Sequence, residues 1–368
     1  MTKEGKLILE LVRQFVDGKQ GYPIEQTLYN WGEIVNQAIF HKIVPVIFWG
    51  LKSNNMLSYL PNAMFKQINI YTSYISYINK CLLDEAESIL KKIPEDTFCI
   101  VLKGPVLAGY LYKEGIRTYS DIDLLVNVED LQFVKSIIKE SGYIQGKFDR
   151  NKCDIIPASR KDILEKELYS HETVEFHKQI PDMFNTDIVI DINHKFSWKP
   201  QGQNHMKICN LDNEIFMYEI SEHKIRSFRP EILFFHTCMH LYSEAVLFCQ
   251  QYSWSKNYGD IELNKYIDIA LFLKTNMDFD FLEKFAVNSD SVYVLKYVLS
   301  HIKVLFPDLA ISGYLKKYVK NIEEVSYYYT QNGDIRWWKT SFIDRIFDQK
   351  LRYLDVMQDA QEGDFAFR

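Results

Sequence analysis

From the N-terminus to about residue 95, apolar residues recur every three or four positions, the period of an amphipathic helix. Leu7, Ile8, Leu11, Val12 and Phe15 form one such stripe; Trp31, Ile34, Val35, Ala38 and Ile39 form a second. A third runs from Met64 to Ile93, with Ile68, Tyr71, Ile75, Ile78 and Leu82 on one side. Pro45, Pro61 and Pro94 stand where these helices would begin or stop, because proline lacks the N–H that a helix interior needs.

The period changes near residue 96. TFCIVL (97–102) is a short β-branched and aromatic run ending on Lys103-Gly104-Pro105, and it predicts a strand. VLAGYLYKEG is helical in pattern, DIDLLV (121–126) predicts a second strand, and EDLQFVKSIIKESGY a helix with an acidic start and Gly142 near its end. After a polar stretch, TVEFHKQI (173–180) and TDIVIDINHKFSW (186–198) alternate apolar and polar residues on either side of PDMFN, which reads as the turn of a long hairpin. From about residue 212 the chain is expected to be helical again, through PEILFFHTCMHLYSEAVLF, LNKYIDIALFLK, SVYVLKYVLSHIKVLF and IRWWKTSFIDRIFDQKLRYLDVM. In the last of these, Trp337, Trp338, Phe342, Ile346 and Leu351 would form an aromatic helical stripe, and Tyr327-Tyr328-Tyr329 before it reads as buried or partner-facing aromatic surface. The expected architecture is α+β: a helical region over 1–95, a small α/β core over 96–200 and a helical domain over 201–368.

Composition narrows the functions open to such a chain. Only 15 Gly and 10 Pro interrupt 368 residues, which favours long elements and excludes disorder. Lys and Arg number 43 against 49 Asp and Glu, a net charge of −6, so nucleic acid is disfavoured as a partner. Six cysteines are scattered without a C-x-x-C pair, so no disulfide framework is expected and a reducing cytoplasm is the expected location. No run of ~18 uncharged apolar residues exists, so no membrane span is expected, and charges interrupt every apolar run of an N-terminus that reads as a helix rather than a signal peptide.

The chemistry concentrates on two acids. In a strand, residues i and i+2 point to the same face, so Asp121 and Asp123 project together. Adjacent carboxylates repel unless a cation lies between them, and Mg2+ (or Mn2+), bound by carboxylates and substrate phosphates, is the usual solution. A third carboxylate from a neighbouring strand would complete a two-metal clamp for in-line phosphoryl transfer. Asp191, in the apolar run IVIDINHKF, is the candidate, with Glu175 in TVEFH as its competitor. A D-x-D pair alone often marks only a solvated strand end; an apolar strand opening on two acids after a strand–Gly–helix turn is rarer.

Leu102-Lys103-Gly104 at a strand end, a helix, and then Arg117-Thr118-Tyr119-Ser120-Asp121-Ile122-Asp123 resemble the polymerase-β-like nucleotidyltransferase superfamily. Within it the chain resembles the bacterial "uncharacterised nucleotidyltransferase" family, and Ile190-Asp191-Ile192-Asn193-His194 fits that family's later acidic strand loosely. The resemblance covers about residues 97–198. It implies that Asp121, Asp123 and Asp191 hold Mg2+ and that Asp191 orients or deprotonates an acceptor hydroxyl. It also implies that an NTP such as ATP binds at Lys103, Gly104, Arg117 and Ser120, with Gly104 admitting the triphosphate close to the backbone. The superfamily usually places Ser after this glycine; here Pro105 removes a hydroxyl and an N–H, and Lys103 and Arg117 would compensate as cationic phosphate contacts.

Histidines offer less. His236, His240 and Glu244 recur at helical spacing, but Thr237 breaks the H-E-x-x-H zinc pattern, and the helix reads as lining a wet cleft. A core of this size needs a second wall to enclose two substrates, and His240 is the expected residue on the acceptor side. His177 and His194 flank the acidic strands and read equally as strand-edge residues or as participants. The expected function is transfer of an NMP group from an NTP to a hydroxyl, amine or phosphate of a small molecule or peptide, releasing pyrophosphate. The alternative is a degenerate core that binds nucleotide or a partner without catalysis.

Overall fold

The computed structural model describes residues 1–19, 28–180, 186–196, 211–250, 258–330 and 332–358. The expected turn at 181–185 and the polar end of the chain lie outside them. The architecture is α+β, and the chain divides into two compact units: Met1–Tyr71 with Thr237–Arg368, and Thr72–His236.

The first unit is mainly helical. Helix α1 (Lys3–Asp17) is capped by the Thr2 hydroxyl, which accepts from the Gly5 N–H, and it ends on Gly18 in the left-handed region. Its stripe of Leu7, Ile8, Leu11, Val12 and Val16 is buried, each side chain contributing about 1.5–3 kcal/mol by leaving water. α2 (Trp31–Phe40) and α3 (Val44–Ser53) follow, the latter with Pro45 in its first turn. After Thr237, the helices Leu263–Phe272 and Val292–Leu305 fall where the apolar periodicity puts them, with a further helix, Phe279–Asn288, between them. The buried Arg352 donates from Nε to Asp260 Oδ2 at 3.0 Å and ties the last helix, Gln349–Gln358, into this unit.

The second unit takes the latter part of α4 (Asn62–Leu90), then β1 (Cys99–Val101), α5 (Pro105–Leu111), β2 (Asp121–Val126) and α6 (Leu131–Glu140). β3 (Ile144–Asp149), β4 (Asp154–Pro157), α7 (Arg160–Tyr169), β5 (Phe176–Gln179) and β6 (Asp187–Asn193) complete a six-stranded mixed sheet in the order β1-β2-β6-β5-β3-β4. Only the β2–β6 pair is parallel among those described; the others are antiparallel. Ile122 and Leu124 on β2 lie beside Ile190 and Ile192 on β6, with Phe176 of β5 next to Ile190, and all five are buried. One face of the sheet is therefore a continuous apolar layer, which fixes the register of the acids on the other face.

Three segments differ from the expectation drawn from the sequence. The polar stretch before residue 173 contains β3, β4 and α7; α7 buries no side chain, so it carries no apolar stripe to read. The chain from 212 is not at once helical: β7 (Ile215–Ile220) and β8 (His223–Phe228) form a hairpin turning at Ser221, whose φ is 54°. Exposed Ile215, Phe216 and Met217 mask the two-residue alternation, which is clear only in buried Tyr218, Ile220 and Ile225. Trp337 closes a strand, β10 (Ile335–Trp337), paired with β9 (Tyr327–Tyr329), so no single aromatic helix runs through Trp337 and Trp338. The helix begins at Phe342, where the Ser341 side chain caps it. No helix of the described residues is long and apolar enough to cross a membrane.

Candidate active site

β2 opens with Asp121 and Asp123 alternating with buried Ile122 and Leu124, so the apolar layer aims both carboxylates at the opposite face. Parallel pairing sets Asp123 beside Asp191 of β6, and residues side by side on paired strands project to the same side. The three acids that the sequence singled out therefore share one face of two adjacent central strands.

Their electrostatics follow from this crowding. The Asp191 carboxyl is pushed up to about 8, first by burial and then by the negative charges of Asp123, Asp121, Glu175 and Glu172. Asp123 is raised to about 6: burial lifts it, Lys103 pulls it back, and Asp121 lifts it again. The Lys103 ammonium lies 3.2 Å from Asp123 Oδ1, a nearly buried ion pair. Carboxylates short of positive charge, with hard oxygen donors, have the chemistry of a Mg2+ or Mn2+ site, and in that respect the residues fit the ion. Lys103 supplies the compensating charge here, and among the described residues no three acidic, His or Cys side chains are already gathered about one point.

The turn that carries Lys103 is built against these acids. Gly104 has φ 50°, and a Cβ on it would lie 2.8 Å from the Asp121 carbonyl oxygen and 3.2 Å from the Tyr119 ring. Only glycine allows that approach at that backbone angle. The Leu102 N–H donates to the Asp123 carbonyl at 2.9 Å, extending the β1–β2 ladder to the turn. Pro105 occupies the first position of α5. Arg117 is buried; its Nη1 donates to the Gly104 carbonyl at 3.5 Å, and its guanidinium lies 5.7 Å from the centre of the Tyr119 ring. Ser120 is exposed immediately before β2.

The sequence left Asp191 and Glu175 as competitors; the structure puts both near the site. Phe176 pairs with Ile190, which sets Glu175, one residue before β5, in line with Asp191. His177 is buried beyond it, with Nδ1 2.7 Å from Asp187 Oδ2 and Nε2 3.4 Å from Glu175 Oε2. Burial alone would lower the His177 imidazole, but the two carboxylates outweigh it and raise it to about 9. This Glu175–His177–Asp187 chain was missed as a unit. Its signal is the two-residue period of TVEFHKQI and TDIVIDIN, which becomes a contact only when the pairing register is known.

His236 and His240 fall in different units. His236 is fully buried with its ring 5.4 Å from Phe196, and burial lowers its imidazole to about 3, so it is a neutral core residue. His240 is partly exposed, with Nε2 3.8 Å from Glu244 Oε1, and Glu244 also pairs with Lys265.

No curated protein and no solved structure matches the chain. The model of one family, described as "Uncharacterised nucleotidyltransferase", matches residues 28–307, a span that takes in both acidic strands and the helices around them, and the chain belongs to that family.

Proposed function

We propose that the protein transfers an NMP group from an NTP to a hydroxyl, or to an amine or phosphate, of a small molecule or peptide, releasing pyrophosphate. The observation that carries this reading is the shared face of Asp121, Asp123 and Asp191 across the paired strands β2 and β6. Asp121, Asp123 and Asp191 would hold Mg2+, for which Mn2+ would substitute; when bound, the ion neutralises phosphate charge and favours attack at the α-phosphorus.

The chain's own residues have separate tasks in this account. Gly104 leaves room at the backbone for phosphate oxygens, and Lys103 turns from Asp123 toward the triphosphate as a charge-assisted contact. Arg117 holds the Gly104 carbonyl and so keeps the turn in place. The acceptor oxygen bonds to the α-phosphorus as the bond to pyrophosphate breaks, and the acceptor proton passes to a carboxylate. Asp191, beside Asp123 on the paired strand, would orient the acceptor hydroxyl and take its proton once a bound cation offsets the neighbouring carboxylates. Catalysis in this account is mainly positioning and charge neutralisation.

A second reading, nucleotide binding without transfer, draws on Lys103 already paired with Asp123 and on Pro105 where a hydroxyl residue would contact phosphate. Incubation of the full-length protein with each NTP, Mg2+ and candidate acceptors, followed by mass spectrometry, separates the two. An acceptor heavier by one NMP supports transfer; bound but unconsumed NTP supports the second reading.

A further inference from the structure

A cavity of about 390 Å³ opens within the unit Thr72–His236, its wall drawn from α4, α5, the segment between α5 and β2, and the β7–β8 turn. That volume lies in the range of small-molecule sites, roughly 300–1,000 Å³. Its walls are pinned rather than loose. Ile220 packs so closely on Gly109 that a Cβ there would lie 2.3 Å from the isoleucine side chain. Gly115, at φ 75°, sits against Ser76, whose Oγ would lie 2.7 Å from a Cβ there.

Two independent features separate this cavity from a chance void. The first is a buried acceptor. Asn79 in the wall is 6% exposed; its Nδ2 donates to the Arg117 carbonyl at 2.9 Å, and its own carbonyl accepts from the Tyr119 hydroxyl at 3.1 Å. Its side-chain oxygen, Oδ1, has no hydrogen-bond partner among the described residues. Buried polar atoms are nearly always paired, so this oxygen is open to a donor from a ligand or from water. The second is charge. Glu114, Glu219 and Glu222 are exposed carboxylates of the wall, set against the one ammonium of Lys80 among its described residues. His223, also in the wall, is already held by Glu87 at 2.9 Å and Asp84 at 3.2 Å. Such a wall repels a triphosphate and attracts an ammonium group. The cavity also adjoins the turn described above: Pro105 follows Gly104, and the Tyr119 ring lies against it.

We propose that this cavity is the acceptor site, and that the acceptor is a small molecule carrying a cationic amine together with the hydroxyl that receives the nucleotidyl group. The amine faces Glu219 and Glu222, and an N–H or O–H of the ligand supplies the donor that Asn79 Oδ1 lacks. The hydroxyl oxygen bonds to the α-phosphorus as pyrophosphate leaves with the electrons of the broken P–O bond, and the hydroxyl proton goes to a carboxylate. The role of the ligand rests on the nucleotidyltransferase reading; its binding does not.

The test uses the full-length protein and saturation-transfer NMR, without NTP or metal. Ethanolamine, glucosamine and putrescine are each compared at millimolar concentration with an uncharged counterpart: ethylene glycol, glucose and butanediol. Binding of the amines in preference to the counterparts is expected, and the paired substitution Glu219→Gln and Glu222→Gln should weaken glucosamine about tenfold or more. Both side chains are exposed, so circular dichroism should show the fold unchanged. Failure of all three amines to bind, equal binding of the counterparts, or an unchanged affinity in the paired variant overturns the inference. Calorimetry with NTP and Mg2+ keeps the two readings apart. If NTP binds and amines do not, only this inference falls; if amines bind and NTP does not, the functional reading falls and the site remains.

Discussion

Asn in place of Asp191 should stabilise the metal-free protein while abolishing its activity. The carboxyl is raised from 3.8 to about 8 by burial and by four neighbouring carboxylates. A raised folded-state value means that the folded protein keeps a proton which the unfolded chain loses near pH 4. Stability from this group is therefore fully present below about pH 4, declines as pH rises, and is gone above about pH 8. At ~1.36 kcal/mol per tenfold change in proton affinity the difference is worth at most about 5–6 kcal/mol. Asp191 keeps partial contact with water, and screening reduces the expected effect to about 1–3 kcal/mol. Asn has the same shape and no charge, so Asp191→Asn should match wild type near pH 4 and exceed it at pH 8.5. In thermal unfolding with EDTA, that gain is about 1–4 °C for a chain of this size. Mg2+ should raise the wild-type Tm at pH 8.5 and move the variant less. A variant less stable than wild type at pH 8.5, or a gain independent of pH, would refute the claim that Asp191 is held against the other acids.

Three further outcomes follow from the geometry. Gly104→Ala should lose about 1–3 kcal/mol of stability in denaturant titration and most NTP binding, because a Cβ there meets the Asp121 carbonyl at a strained backbone angle; full stability with full binding would contradict this. The His177 imidazole, followed by NMR, should titrate near 9, and Glu175→Gln with Asp187→Asn should bring it below the ordinary 6.5, because burial then acts without the two carboxylates. Its stabilising contribution is present below about 6.5 and is lost as pH rises through about 9. Lys103→Ala should raise the KM for NTP about tenfold, for one lost charge-assisted contact of ~1.5–3 kcal/mol, with little change in KM for the acceptor; an unchanged KM for NTP would leave Lys103 only its ion pair with Asp123.

The part of the site legible in the sequence is the part encoded within one strand. Ile122, Leu124 and Val126 alternate with Asp121 and Asp123, so strand, face and carboxylates follow from the same six residues. Helix α1 is equally legible, because a buried stripe and a capping threonine agree. What depends on pairing between segments was not. Whether Asp191 or Glu175 faces the first two acids turns on the β2–β6 and β5–β6 registers, which side-chain chemistry alone does not set. The Lys103–Asp123 ion pair and the Glu175–His177–Asp187 chain are tertiary for the same reason. The β7–β8 hairpin was hidden by exposed Ile215, Phe216 and Met217, whose apolar side chains imitate a helical run.

The central claim, that Asp121, Asp123 and Asp191 serve transfer of a nucleotidyl group, is tested most directly by following the fate of each phosphate. Full-length protein is incubated with Mg2+, a cell extract as acceptor source, and NTP labelled in parallel at the α- or the γ-phosphate. The account expects α-label in an acceptor, γ-label only in pyrophosphate, and neither event with Asp121→Asn and Asp123→Asn combined in a protein that remains folded. Label moving from the γ-phosphate to an acceptor, or α-transfer undiminished in the double variant, would contradict it.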